Sequence, residues 1–478
     1  MRSSSFDDFM RCYPTVAEPL RAFDGSLLSP DNPGFEEARR MWNGMIDRRP
    51  ALIARCRTTR DVSAAIRFAR GAGLPISIRC GGHNVAGSAV ADGAIMIDLS
   101  LMRTVRVDVD NRIAEADGGC LLRDVDIATT AYRLACPAGV FSYTGLGGLA
   151  LGGGYGWRCR KWGLTCDHII GAEVVLADGS VVDVSEDQHP DLLWALRGSG
   201  GNFGVVTKFR LRLHRVGPIL LRTGVYAGDD VTAALQVYRK FTATLSDDFH
   251  LLGGLRNSTP KDHIPRAAAD RPVLDFLAVC SADDATSLDD SSGLFDAMPN
   301  CTTTQHTISY LKLQTMVDDS APTGRRYYTK SGYLSELPDS AIEQLVDAAR
   351  QNPSRTGSID IEYLRGAISR TTAAESSFPQ RDAPFMVSTY GSWDDPVLDP
   401  KGIAWARESM NSIRQWKHPG AYLNYVSQEE SPEDASEMYG SAIYSRLAQV
   451  KRLYDPDNVF RSARSVIPAS ATDRRTMP

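Results

Sequence analysis

The residues best suited to chemistry fall in five short stretches. In Ser358-Ile359-Asp360-Ile361-Glu362-Tyr363 polar side chains alternate with apolar ones, so on a strand Ser358, Asp360 and Glu362 share one face. Two carboxyl groups so placed raise at least one pKa through burial and mutual repulsion, and a carboxylate tuned this way can take a proton near neutral pH. A strand facing solvent would carry the same pattern with no chemistry attached. Tyr422-Leu423-Asn424-Tyr425 supplies two phenols and an amide. A tyrosine, with an unperturbed pKa of about 10, acts as a base only with help from a cation or a second acid. Lys330 and Arg326, in RRYYTKSGYL, are candidates for that help, or for orienting substrate and satisfying buried carboxylates.

The other three stretches are rich in glycine. Seven of the twelve residues of GLGGLALGGGYG (145–156) are glycine, a density that costs chain entropy and suits a backbone approaching a ligand closely. Gly145, Gly147 and Ala150 satisfy the dinucleotide pattern GxGxxA, but the pattern requires a strand before it and a helix opening within it. The preceding CPAGVFSYT reads as a loop and Gly152-Gly153-Gly154 as a helix breaker, so a Rossmann unit is not expected. A second cluster, Gly198 to Gly204, leads into Val205-Val206-Thr207, and backbone N–H groups of both loops can form nests for pyrophosphate. Plain structural turns are the alternative for each. His83 sits in a third turn, Arg79-Cys80-Gly81-Gly82-His83-Asn84-Val85-Ala86-Gly87-Ser88.

The elements that must position these residues are legible in outline. RTTRDVSAAIRFARGAG places Val62, Ile66 and Ala69 at helical spacing, with Thr58 or Thr59 as cap and Gly71 and Gly73 as stop. Short strands follow at 75–80, in AIMIDLS, in TVRVDV and in RIAEAD, then a helix over 120–134. IIGAEVVLADGSVVDV reads as a hairpin turning at Asp178-Gly179, DLLWALRG as a helix and VVTKFRLRLHRV as a strand. From 217 to 415 strands alternate with longer helices such as 339–351 and 401–416, and a last helix covers 440–454. The expected organisation is an N-terminal arm (1–44), a first domain (45–216), a second domain (217–415) and a C-terminal segment (416–478) that docks back on another domain.

Composition narrows the function class. The 478 residues, 43% hydrophobic and 23% charged, carry a net charge of −5 with no basic cluster, which argues for small-molecule chemistry and against a nucleic-acid partner. No apolar run approaches the roughly 18 to 20 residues of a spanning helix, and the N-terminus lacks a signal-peptide core. A cytoplasmic protein with no membrane partner is expected. The nine cysteines contain no CxxC pair and read as mostly buried thiols, not a metal site.

Taken in order, RCGGHNVAGS, GLGGLALGGGYGWRCRKWGLTCD, GGNFGVVTKF, YLNY and VKRLYDPDNVFR resemble the berberine bridge enzyme-like FAD-linked oxidases over residues 45–465. The resemblance implies an α+β fold of the vanillyl-alcohol-oxidase type. Its FAD-binding module of PCMH type has two α+β subdomains, and its substrate domain lays an antiparallel sheet flanked by helices over the flavin. It also implies hydride transfer from a small organic substrate to FAD, with reoxidation by O2. His83 matches the histidine bonded to the flavin 8α-methyl carbon. Arg79, Gly81, Gly82, Ser88, Gly147, Gly148, Gly152, Gly201, Val206 and Asn424 then fall among cofactor-binding positions. Many relatives add a link through a cysteine four residues before the first glycine of the long cluster; that position is Phe141 here, and Cys136 lies five residues further upstream. A single link through His83 is therefore expected, and none through Cys136. The acid strand matches the pocket strand of 6-hydroxynicotine oxidase-like members, which makes Glu362, supported by Asp360, the expected base. Tyr422 and Tyr425 shape the pocket and share in that role; Tyr425 matches the base of carbohydrate-oxidising members. WNGMIDRRPALIARC (42–56) and YYTKSGYLSEL (327–337) also resemble enterocin-pathway flavoproteins, implying a tailoring oxidase of secondary metabolism, with antibiotic biosynthesis as its setting. A carbohydrate or alcohol oxidase, and a non-catalytic protein that sequesters a drug-like ligand, are the competing readings.

Overall fold

The first long helix forms for reasons visible in its residue types. The Thr58 hydroxyl accepts the Asp61 N–H, the Asp61 carboxylate accepts the Thr58 N–H, and Gly73 ends the helix at φ +67°. Asp61 also accepts the N–H of Asp24, which ties the N-terminal arm to the helix start. The computed structural model describes residues 11–227, 230–257, 272–282, 293–294, 296–298, 301–427, 434–461 and 465–470. In it this helix, Thr59–Ala72, buries Val62, Ile66 and Ala69 against a four-stranded sheet. Strands Leu52–Arg55, Ile95–Asp98 and Ile76–Arg79 run parallel, and Ser26–Leu28 of the arm adds an antiparallel edge.

A second sheet, entirely antiparallel, orders Val105–Asp108, Ile113–Asp117, Val205–Arg212, Ile169–Val175 and Val181–Val184. The helix expected over 120–134 spans Leu122–Thr130 and gives way to a two-residue strand at Leu134–Ala135. The glycine segment departs from expectation. A helix does open within it, Leu146–Leu151, and it stops after six residues at Gly152 because the glycine run that follows favours non-helical backbone.

The third sheet has eight antiparallel strands. In spatial order they are Cys301–Ile308, Ile219–Tyr226, Pro272–Ser281, His250–Asn257, Ser358–Tyr363, Phe385–Trp393, Arg326–Leu334 and Lys417–His418. Helices Val231–Thr242, Asp339–Arg350 and Asp399–Ser412 cover one face and bury Leu251, Leu255, Ile359, Ile361 and Val387. Because side chains alternate across a strand, His250, Arg256, Ser358, Asp360, Glu362 and Tyr390 must point to the other face. The sheet is thus apolar toward its helices and polar toward the glycine loops, and a solvent-facing reading of the acid strand is overturned. The mixed α+β class expected from the sequence is the one observed.

The C-terminal segment returns to the glycine-bearing part of the chain. Helix Ser441–Tyr454 sets Arg446 3.8 Å above the ring of Trp194, and the Tyr439 hydroxyl donates to the Ser199 carbonyl. Fully buried Lys451 donates to the carbonyls of Asn202 (2.5 Å) and Phe460 (2.8 Å) and to Asp455 (2.6 Å), so one ammonium holds the 198–204 loop to the DPDN turn. Removing one partner of a buried ion pair leaves the other uncompensated, and Lys451→Met should cost about 3–5 kcal/mol. Urea unfolding of the two proteins measures this, and a loss under about 1 kcal/mol would show the pair to be dispensable. Among the described residues, no helix is long and apolar enough to cross a membrane.

Candidate active site

The glycine loops and the polar face of the eight-stranded sheet enclose a cavity of about 440 Å³. Two loops meet backbone to backbone at its wall. A Cβ on Gly81 would lie 2.5 Å from the Gly145 nitrogen, and one on Gly145 would lie 2.3 Å from the Gly81 nitrogen, so neither position tolerates a side chain. At Gly148 and Gly201, which line the cavity, a Cβ would meet nothing within 4 Å. Their backbone faces open space, as a cradle for a phosphate-bearing ligand requires.

Gly81, Gly82, His83, Ser88, Gly147, Gly148, Gly201, Val206 and Asn424 all line this cavity, together with Asp360, Glu362, Tyr422 and Tyr425. Arg79 and Gly152 lie outside this lining. The Arg79 guanidinium turns back to the Ala38 carbonyl (2.6 Å), and a Cβ on Gly152 would strike Asn424. Nor does Cys136, whose buried thiol is raised well out of the reactive range by desolvation. None of the nine cysteines is joined in a disulfide.

His83 is half-buried, with a solvent-shielded Nε2 that lacks any partner, and desolvation lowers its pKa to about 4. Its imidazole is therefore neutral at ordinary pH. The ring lies parallel to that of Trp42, with centroids 4.2 Å apart. Phe141 and Tyr143 stand at its other side, at 5.7 and 5.2 Å.

Glu362 is 4% exposed and one carboxylate oxygen has no partner. Burial first, and the neighbouring Asp360 second, push its pKa well above the usual carboxylate range. Burial also raises Asp360, against the pull of Arg256. Arg256 pairs with Asp275 at 2.6 Å and Asp360 at 3.4 Å. Burial works against the Arg256 charge, but these two carboxylates more than offset it. No sequence signal marks Arg256 as the cation of the site, because its strand reaches the acid strand only through the sheet order. Lys330 and Arg326, the cations considered from sequence, sit on the helix-covered face of their strand; Arg326 is paired with Asp399.

Tyr422 stands in the cavity wall. Its hydroxyl accepts the N–H groups of Gly154 (2.9 Å) and Tyr155 (3.0 Å) and the amide of Asn424 (3.1 Å). Through these bonds Tyr422 clamps the glycine loop. Tyr425 packs edge-on against Tyr422 at 4.6 Å and hydrogen-bonds Tyr390; burial and then Glu362 raise its pKa well above that of a free phenol. Three further residues of the wall escape sequence reasoning: Tyr155, Trp157 and His250. His250 keeps an unpartnered Nδ1, and burial lowers its pKa to about 3. Among the described residues no group of His, Cys, Asp and Glu is placed to hold a metal ion.

The unpartnered imidazole, the open glycine backbone and the adjoining polar sheet fit a flavin dinucleotide, and the comparisons agree. An FAD binding domain matches residues 50–185, and a berberine and berberine-like segment matches residues 421–467. (R)-6-hydroxynicotine oxidase of Paenarthrobacter nicotinovorans is 30% identical over 95% of this chain and 98% of that protein. Glucooligosaccharide oxidase of Sarocladium strictum is 28% identical over 94% and 93%. The crystal structure of 6-hydroxy-D-nicotine oxidase from Arthrobacter nicotinovorans superposes with a TM-score of 0.84 at 27% identity, covering 94% of this chain and 99% of that one. These relatives lend no support to the likeness of residues 42–56 and 327–337 to enterocin-pathway flavoproteins, nor to a role in antibiotic biosynthesis. They do set aside a non-catalytic reading: the chain belongs to the berberine bridge enzyme-like FAD-linked oxidoreductases and is an FAD-dependent oxidase.

Proposed function

We propose that this oxidase holds FAD through His83 alone and dehydrogenates a small amine, enol or hydroxyl compound of secondary metabolism, with Glu362 as the base. The single observation behind it is the unpartnered carboxylate oxygen of Glu362, buried in a cavity wall where the neighbouring Asp360 is already paired with Arg256. Bound FAD supplies the two-electron acceptor and passes the electrons to O2. Glu362 takes the proton that leaves the substrate N–H or O–H as the neighbouring C–H gives up its hydride. Two hydrogens and two electrons thus leave the substrate, and O2 becomes H2O2. Asp360, held by Arg256, adds its repulsion to burial and so raises the basicity of Glu362. Tyr390 and Tyr425 orient the substrate, and Tyr422 with Asn424 keeps the glycine cradle in place.

Kinship with a nicotine-derivative oxidase and the tyrosine-lined wall favour a flat, hydroxylated or amine-bearing substrate over a sugar. Oxygen uptake and H2O2 release, measured against a panel of phenolic polyketides, cyclic amines and oligosaccharides, tests this. Turnover is expected with the first two groups. Turnover confined to oligosaccharides would overturn the substrate assignment and make Tyr425 the base to examine.

A further inference from the structure

Nothing polar aims the ring of His83 through Nε2, which has no hydrogen-bond partner. A histidine that must present one nitrogen to a reacting carbon is ordinarily oriented by a hydrogen bond at the other. Here, beyond a hydrogen bond to its own backbone, the orientation comes from stacking. Trp42 lies between His83 and Tyr327, parallel to both: centroids are 4.2 Å apart at 13° on one side and 3.8 Å apart at 12° on the other. All three rings are packed, with Trp42 8% and Tyr327 5% exposed.

The two supporting rings are themselves held. The Trp42 indole N–H donates to the Ala321 carbonyl at 2.9 Å, and the Tyr143 hydroxyl donates to the same oxygen. The Trp42 backbone donates to Gly82 and accepts from Gly324, while the Tyr327 hydroxyl donates to Pro322. Asn43 joins the two parts of the molecule: its amide donates to the carbonyls of Val85 and Tyr327, and its carbonyl accepts the Tyr327 N–H. Tyr327 belongs to the eight-stranded sheet and His83 to the turn after strand Ile76–Arg79 of the first sheet. A three-ring pile therefore runs from the substrate-side sheet to the attachment histidine.

We infer that Trp42, backed by Tyr327, is the positioning residue for covalent FAD attachment, setting the plane of the His83 imidazole so that attachment depends on the docked eight-stranded sheet. The inference rests on His83 being the attachment point. In that step the imidazole loses its N–H proton, the 8α-methyl carbon loses one hydrogen, one N–C bond forms, and O2 accepts both hydrogens and two electrons as H2O2. Stacking energy between aromatic rings is modest, so the stack works by restricting the ring plane, and small errors of placement in a bond-forming step are expensive.

The test compares Trp42→Leu, which fills the slot without a planar ring, with Trp42→Phe, which keeps one. Full-length protein from riboflavin-limited cells is incubated with FAD, and acid-stable flavin in the precipitate and free flavin in the supernatant are followed in time. Trp42→Leu should attach FAD about 10- to 100-fold more slowly than the parent, while total bound FAD stays within about twofold and Trp42→Phe approaches the parent rate. If Trp42→Leu does not bind FAD, the pair Tyr327→Leu and Tyr327→Phe provides the same contrast. Equal attachment rates in the Leu and Phe variants, with acid-stable flavin in the parent, would overturn the role of the stack alone. A parent whose flavin is entirely acid-soluble overturns the His83 link and this inference with it.

Discussion

Glu362→Gln is expected to slow anaerobic reduction of the flavin by roughly 10²- to 10⁴-fold while FAD stays bound, the range typical for loss of a general base. The substitution keeps the size and hydrogen-bonding shape of the side chain and removes only its capacity to take a proton. The pH profile sharpens the expectation. Burial and Asp360 push the Glu362 pKa well above the usual carboxylate range, so the basic form grows as pH rises through that raised value. The parent rate should therefore climb with pH over a limb displaced to the alkaline side of an ordinary carboxyl group, and the limb should vanish in the variant. Stability carries the opposite sign. A carboxyl group whose folded pKa is raised contributes its full share below the unfolded pKa and loses it as pH rises toward the folded one. Glu362→Gln should thus be relatively more stable than the parent on the alkaline side of that window. Stopped-flow reduction rates within about threefold of the parent would remove Glu362 as the base, and Tyr425→Phe would then be decisive.

His83→Ala should abolish acid-stable flavin altogether. The glycine loops that line the cavity remain in the variant, so FAD is expected to bind reversibly and to be washed out by acid or denaturant. Cys136→Ala should change nothing in the flavin spectrum. That thiol is buried outside the cavity wall, with its pKa raised by desolvation, and its backbone carbonyl is engaged by the Tyr310 hydroxyl. Phe141 stands where two-link relatives carry their cysteine, and it packs beside the His83 ring without a group able to form a second bond. Precipitation followed by flavin spectra of both variants checks the pair. A changed covalent spectrum in folded Cys136→Ala would refute the single link.

Much of this site was readable from the chain because it depends on local rules. Alternation over residues 358–363 put Ser358, Asp360 and Glu362 on one face, since strand period is a property of the backbone. Glycines at 81, 82, 145–148 and 198–204 marked places where backbone approaches backbone or ligand, since only glycine lacks the Cβ that would intervene. The helix over Thr59–Ala72 announced itself by its cap and its stop.

What the chain alone left open was everything that depends on which strand lies next to which. The eight-stranded sheet sets Arg256 beside Asp360 across 104 residues of sequence, giving the acid strand a cation that no spacing advertises. The same sheet turns Arg326 and Lys330 to the helices and Thr329 to the cavity, a choice of face that parity permits in either sense until the packing of Tyr328 and Leu334 against the helices decides it. Tyr422 became a clamp only when the loop at Gly154 folded against it. Local geometry thus determined which residues could bind and react, through chain entropy, strand period and the absence of Cβ atoms. The tertiary structure decided which of them meet, because desolvation, ion pairing and ring stacking act across space between segments whose separation in sequence carries no record of it.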